Sequence, residues 1–114
     1  MSFSHTIEKD NQILNVSLEG NLINKQQTQE LMNEIDFHYN SGLKKLIIDM
    51  TNMKYMNSTG LSILINIFTQ TRNRGGEVVI VNIPEKIEKL LIITKLNSIF
   101  NIESSIEDAK KILV

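Results

Sequence analysis

Residues 46–64 read LIIDMTNMKYMNSTGLSIL. The stretch opens on Leu46-Ile47-Ile48-Asp49-Met50, an apolar run too short for a helix and typical of a strand covered on both faces. It closes on the start of an amphipathic helix. Leu61, Leu64, Ile65 and Phe68 form one stripe, widened by Ile63 and Ile67, until Arg72-Asn73-Arg74-Gly75-Gly76 ends it with basic residues and glycine. A buried strand feeding a helix predicts a central strand, with the segment from Thr51 to Asn57 as a loop at its carboxyl end. Open α/β sheets place their sites at such ends.

Working outward, Glu77 to Ile83 (EVVIVNI) is a second buried-strand run, and Pro84 suits the first turn of a helix carrying Ile87, Leu90 and Leu91. Upstream, Leu31, Met32, Ile35 and Tyr39 fall at helical spacing between Asn24, a candidate N-cap, and Gly42, a candidate stop. Strict alternation from Phe3 to Ile7 and again from Leu14 to Leu18 predicts two strands, joined as a hairpin at Lys9-Asp10-Asn11, with Gly20 closing the second. Ile99 to Ile102 reads as a short last strand. Ser105 with Asp108 resembles a capping box opening a helix with Ile106, Ala109, Ile112 and Leu113 inward. The order β-β-α-β-α-β-α-(β)-α predicts one α/β domain over residues 1–114, a mixed sheet of four or five strands with helices mainly on one face and parallel pairing through right-handed crossovers.

Composition narrows the function. Twelve basic and thirteen acidic residues give a net charge of -1, too little cationic excess for a nucleic-acid partner. There is no cysteine, so disulfides, thiolate metal sites and cysteine nucleophiles are excluded together. MSFSHTIEKDNQ carries no basic segment followed by an apolar one, and nowhere do about 18 apolar residues run together, so the expectation is a cytoplasmic chain without membrane insertion. His5 and His38 lack metal-ligand spacing, and Met56-Asn57-Ser58-Thr59-Gly60 is not a nucleophile elbow, although Ser58 with a histidine and Asp49 is the one triad that can be imagined. Gly75-Gly76 makes no phosphate-binding loop. Neither catalysis nor a cofactor is expected.

Adjacent hydroxyls remain to be explained at Asn57-Ser58-Thr59-Gly60. Asn57 or Ser58 can cap the helix by accepting from a backbone N–H two or three residues on, and the other side chain is then left over. A phosphate on a serine placed there would face unpaired N–H groups and the positive end of the helix dipole.

Met56-Asn57-Ser58-Thr59-Gly60-Leu61 resembles the D-S-[ST]-G-L signature of the anti-sigma factor antagonists, the founding branch of the STAS domain family. Leu18-Glu19-Gly20-Asn21-Leu22 is similar to the family's strand-ending G-x-L element, Leu46 to Met50 to its buried strand, and Gly75-Gly76 through Asn82 to its G-G-x-[LV]-x-[LV]-x-[NG] segment. Thr94-Lys95-Leu96, Ile99-Phe100 and the helix from Ser105 also fit. The resemblance implies a STAS-like fold and a non-enzymatic switch: the unmodified protein binds an anti-sigma factor that is a serine kinase, phosphorylation of the first signature serine, here Ser58, releases it, and a serine phosphatase restores it. Thr59 is the reserve acceptor. Gly20, Asn21, Leu22 and Ile23 with Asn57, Ser58, Thr59, Gly60 and Leu61 map onto the partner surface. The family's aspartate before the serine is Asn57 here, which keeps capping ability but loses charge, and Gly20-Asn21-Leu22-Ile23 lacks both acids of the usual G-[ED]-L-D. The alternative is a STAS scaffold or transporter-associated interaction module that is not phosphorylated.

Overall fold

A computed structural model describes residues 2–113. β1 (Phe3–Asp10) and β2 (Ile13–Leu22) pair antiparallel from Phe3↔Gly20 to Asp10↔Ile13. The hairpin turn is therefore Asn11-Gln12, with Asn11 at φ 57, and Lys9 and Asp10 belong to the strand. β3 (Lys45–Met56), β4 (Glu77–Val81) and β5 (Asn101–Glu103) follow, each parallel to its predecessor, so the five-stranded mixed sheet runs β1-β2-β3-β4-β5. The last strand starts two residues later than Ile99, because the chain is still leaving a 3₁₀ turn at Leu96–Ser98 there.

α1 (Gln29–Asn40), α2 (Ser58–Asn73) and α3 (Glu85–Ile93) cover one face, packing Leu31, Ile35, Leu64, Ile67, Ile87 and Leu91 on Leu14, Val16, Leu46 and Ile48. α4 (Ile106–Leu113) alone covers the other, where Ala109 and Leu113 meet Ile47, Val79 and Val81. Two-sided cover explains the continuous apolar runs of β3 and β4. Three helices against one agrees with the expected asymmetry. Ile112 does not point inward as expected: it is 46% exposed, because Ala109 and Leu113 at i, i+4 take the buried side of a short helix. Across the α1–α2 contact the Tyr39 hydroxyl is hydrogen-bonded to the buried Thr71 hydroxyl, and Thr71 donates to the Ile67 carbonyl. Burial raises the Tyr39 phenol above its ordinary pKa, an effect the Thr71 bond and the Arg74 charge oppose, so the tyrosine stays neutral well past pH 7.

The largest departure from expectation lies in the deciding stretch itself. β3 does not end at Met50 but runs on to Met56, so what read as a loop is strand. Between Ser17↔Asp49 and Glu19↔Asn52 the chain advances two residues on β2 and three on β3, and between Gly20↔Met53 and Asn21↔Tyr55 one against two. Each shift is a bulge that inserts one residue into β3. Inward residues are thereby respaced as Met50, Met53 and Met56, a period of three that alternation cannot detect. Gly20 sits at the second bulge with φ +96, so it bends β2 rather than closing it, and the strand continues to Leu22.

Candidate functional site

The bulges bring the carboxyl ends of β2 and β3 level, Leu22 beside Met56, and Asn57 follows at once. Asn57 is the N-cap of α2, with extended backbone; its Oδ1 accepts from Gly60 N–H at 3.0 Å and its carbonyl from Leu61 N–H at 3.0 Å. Its Nδ2 donates to the Ile23 carbonyl at 3.1 Å, and its own N–H donates to the Leu22 carbonyl at 3.4 Å. One side chain thus caps a helix and ties it to the loop after β2. Of the two capping candidates it is Asn57 that serves, which leaves the Ser58 hydroxyl outside the cap.

Ser58 is exposed at the first helical position and Thr59 beside it is half-buried. The N–H groups of these first residues are the ones a helix leaves without partners, since Gly60 and Leu61 already bond to Asn57. Gly60 has no room for a side chain: a Cβ would lie 2.5 Å from Met56 Cγ and 2.7 Å from the Leu22 carbonyl oxygen. Leu61 is in the core at 4% exposure. Among the residues expected to meet a partner, Gly20, Leu22, Gly60 and Leu61 are buried and shape the surface, whereas Asn21, Ile23, Asn57, Ser58 and Thr59 reach it.

Two features were not anticipated. Gln27 organises the loop after β2: its Oε1 accepts from Ile23 N–H at 2.8 Å and Asn24 N–H at 3.0 Å, and its Nε2 donates to the Asn21 carbonyl at 2.9 Å. The signal was present as a capping box, Asn24 with Gln27 three residues on, at the 3₁₀ turn Lys25–Thr28 that leads into α1. The second is a groove of about 330 Å³ between the end of β3, at Lys54, Tyr55 and Met56, and α3, at Lys86, Ile87 and Leu90, with Asn57 and Ser58 on its rim. Nothing local in the sequence marks it, because its walls come from two segments far apart in the chain, 54–56 and 86–90.

The catalytic constellation does not assemble. Asp49 accepts from the Thr51 N–H and hydroxyl at 3.0 and 2.6 Å and from Asn82 at 3.3 Å, His5 meets Glu34 at 3.3 Å, and His38 packs edge-on to Phe37. Among the described residues no helix is long and apolar enough to cross a membrane.

Asn57→Asp isolates the tie to Ile23. Aspartate keeps the cap acceptor but sets a carboxylate oxygen against a carbonyl, a loss of roughly 1–2 kcal/mol that the helix dipole offsets by about 0.5 kcal/mol. A net fall of about 1 kcal/mol in denaturant unfolding is expected; an unchanged midpoint would mean that the lost Nδ2 bond is worth no more than the dipole returns.

The STAS domain family model matches residues 5–109. The anti-sigma-B factor antagonist of Listeria monocytogenes is 36% identical over 59 residues, 52% of this chain and 52% of that one, so the match spans about half the length of that curated relative. Among solved structures, an anti-sigma factor antagonist from Mycobacterium paratuberculosis superposes with TM-score 0.80 at 19% identity, covering 98% of this chain and 94% of that one. The Bacillus cell fate determinant SpoIIAA in its phosphorylated form superposes with TM-score 0.75 at 14% identity over 96% and 99%. These structural likenesses concern the fold.

Proposed function

The chain belongs to the STAS domain family, and on that premise we propose that it is an anti-sigma factor antagonist whose binding to an anti-sigma serine kinase is ended by phosphorylation of Ser58. The observation that carries this is the position of Ser58: exposed at the first turn of α2, outside the cap that Asn57 supplies, and next to first-turn N–H groups that can face an anion. The kinase transfers the γ-phosphoryl group of ATP to Ser58 Oγ, giving phosphoserine and ADP with loss of the hydroxyl proton. A serine phosphatase returns the hydroxyl by hydrolysis, with release of inorganic phosphate. Similarity to named antagonists and a fold shared with SpoIIAA, solved in a phosphorylated form, support this function.

Incubation with the anti-sigma serine kinases of its own genome and ATP should add one phosphate to the intact mass of the wild type and none to Ser58→Ala. If Ser58→Ala gains the phosphate as readily, the acceptor lies elsewhere, and Thr59→Val is the next variant to examine. If no kinase modifies the wild type, the chain is an unphosphorylated STAS scaffold or transporter-associated module instead.

A further inference from the structure

The groove beside Ser58 carries an unbalanced charge. Lys54 and Lys86 line it, no carboxylate does, and neither lysine joins an ion pair among the described residues. Beneath the two cations lie Met56 and Ile87, both 2% exposed, and Tyr55 stands at the edge with 52% of its surface open. An exposed tyrosine over an apolar floor is the composition of an interface anchor point. Two unanswered lysines fix the sign of what it meets.

Resting on the antagonist function proposed above, we propose that this groove seats an acidic segment of the partner protein, with an apolar side chain against Tyr55 and the half-buried Leu90 and carboxylates on Lys54 and Lys86. Phosphate on Ser58, at the rim of the same groove, then acts by competition as well as repulsion: it draws the lysines to itself and presents a dianion to the partner's acids.

The test measures binding of the unphosphorylated full chain to each purified anti-sigma serine kinase of its own genome. Lys54→Glu/Lys86→Glu is compared with Lys9→Glu/Lys111→Glu, an exposed pair away from the groove carrying the same charge change. Groove reversal should weaken binding by roughly thirtyfold or more at low salt and flatten its salt dependence, while the control stays within about threefold of wild type. All four lysines are outside the core, so thermal unfolding should be unaffected, and an altered Tm would redirect the test to Lys54→Gln/Lys86→Gln at the same readout. If both reversals match while Ser58 phosphorylation still releases the partner, the acidic-segment inference is overturned and the switch stands. If the wild type neither binds nor is phosphorylated, both fall.

Discussion

Phosphorylation of Ser58 should lower affinity for the anti-sigma partner by roughly two to three decades while leaving the fold as stable as before. The modification adds about -1.5 to -2 charge at pH 7. Covering that dianion with a protein surface costs several kcal/mol unless cations meet it, and about 1.4 kcal/mol is one decade of affinity. In the free protein the same group stands at a helix N-terminus, open to water and to the Lys54 and Lys86 side chains of the groove, and the helix end alone favours negative charge by roughly 0.3–1 kcal/mol. Binding and stability should therefore separate: titration of the phosphorylated and unmodified chains against the partner shows the loss, and thermal melts of the two coincide or favour the phosphorylated form. Ser58→Ala should bind like the unmodified chain and stay bound when ATP is added. Ser58→Glu, with one charge instead of nearly two, should fall between. Equal affinities for the phosphorylated and unmodified chains would end the switch as described.

The separation depends on which features of this chain were local. Buried strands at Leu46 to Met50 and Glu77 to Ile83, the second ending at Val81 because Asn82 turns out of the strand with φ 55, and the apolar stripe of α2 were legible because cover on two faces and helical period leave direct marks in residue type. The cap at Asn57 was legible as one of two possibilities, and only the geometry of Gly60 and Ile23 chose between them. The continuation of β3 to Met56 was hidden because two bulges replaced alternation by a three-residue spacing. Bulges depend on the neighbouring strand, which the sequence of β3 alone does not contain. The lysine groove was hidden for the same physical reason: Lys54 and Lys86 are ordinary surface charges until β3 and α3 are set side by side. Gln27 is the opposite case. Its spacing from Asn24 carried the information: Asn24 was read as a candidate N-cap, but Gln27 three residues on was not read as the other half of a capping box.

Gly76→Ala should produce a large loss of stability from a single methyl group, about 3 kcal/mol and a fall of roughly 10 °C in Tm. A Cβ on Gly76 would lie 2.0 Å from the Lys44 carbonyl oxygen and 2.9 Å from its carbon. Both are backbone atoms, so no rotamer change relieves the clash, and the Lys44 oxygen is also held by Glu77 N–H at 3.0 Å. Relief requires the start of β4 to move away from β3, where Lys45↔Glu77 and Leu46↔Val78 set the register of the two central strands. Gly42→Ala provides the contrast: its φ is +91 but nothing lies within 4 Å of the new atom, so it should cost only the roughly 1–2 kcal/mol of left-handed strain. The clash at Gly76 is at the amino end of β4, whereas Ser58 follows the carboxyl end of β3. Below its lowered Tm, Gly76→Ala should therefore still accept phosphate on Ser58 at the wild-type rate. A Tm within about 2 °C of wild type would show that the strands yield to the methyl group more easily than the contact distances imply. A lost phosphorylation rate in the folded variant would mean that the two ends of the sheet are coupled.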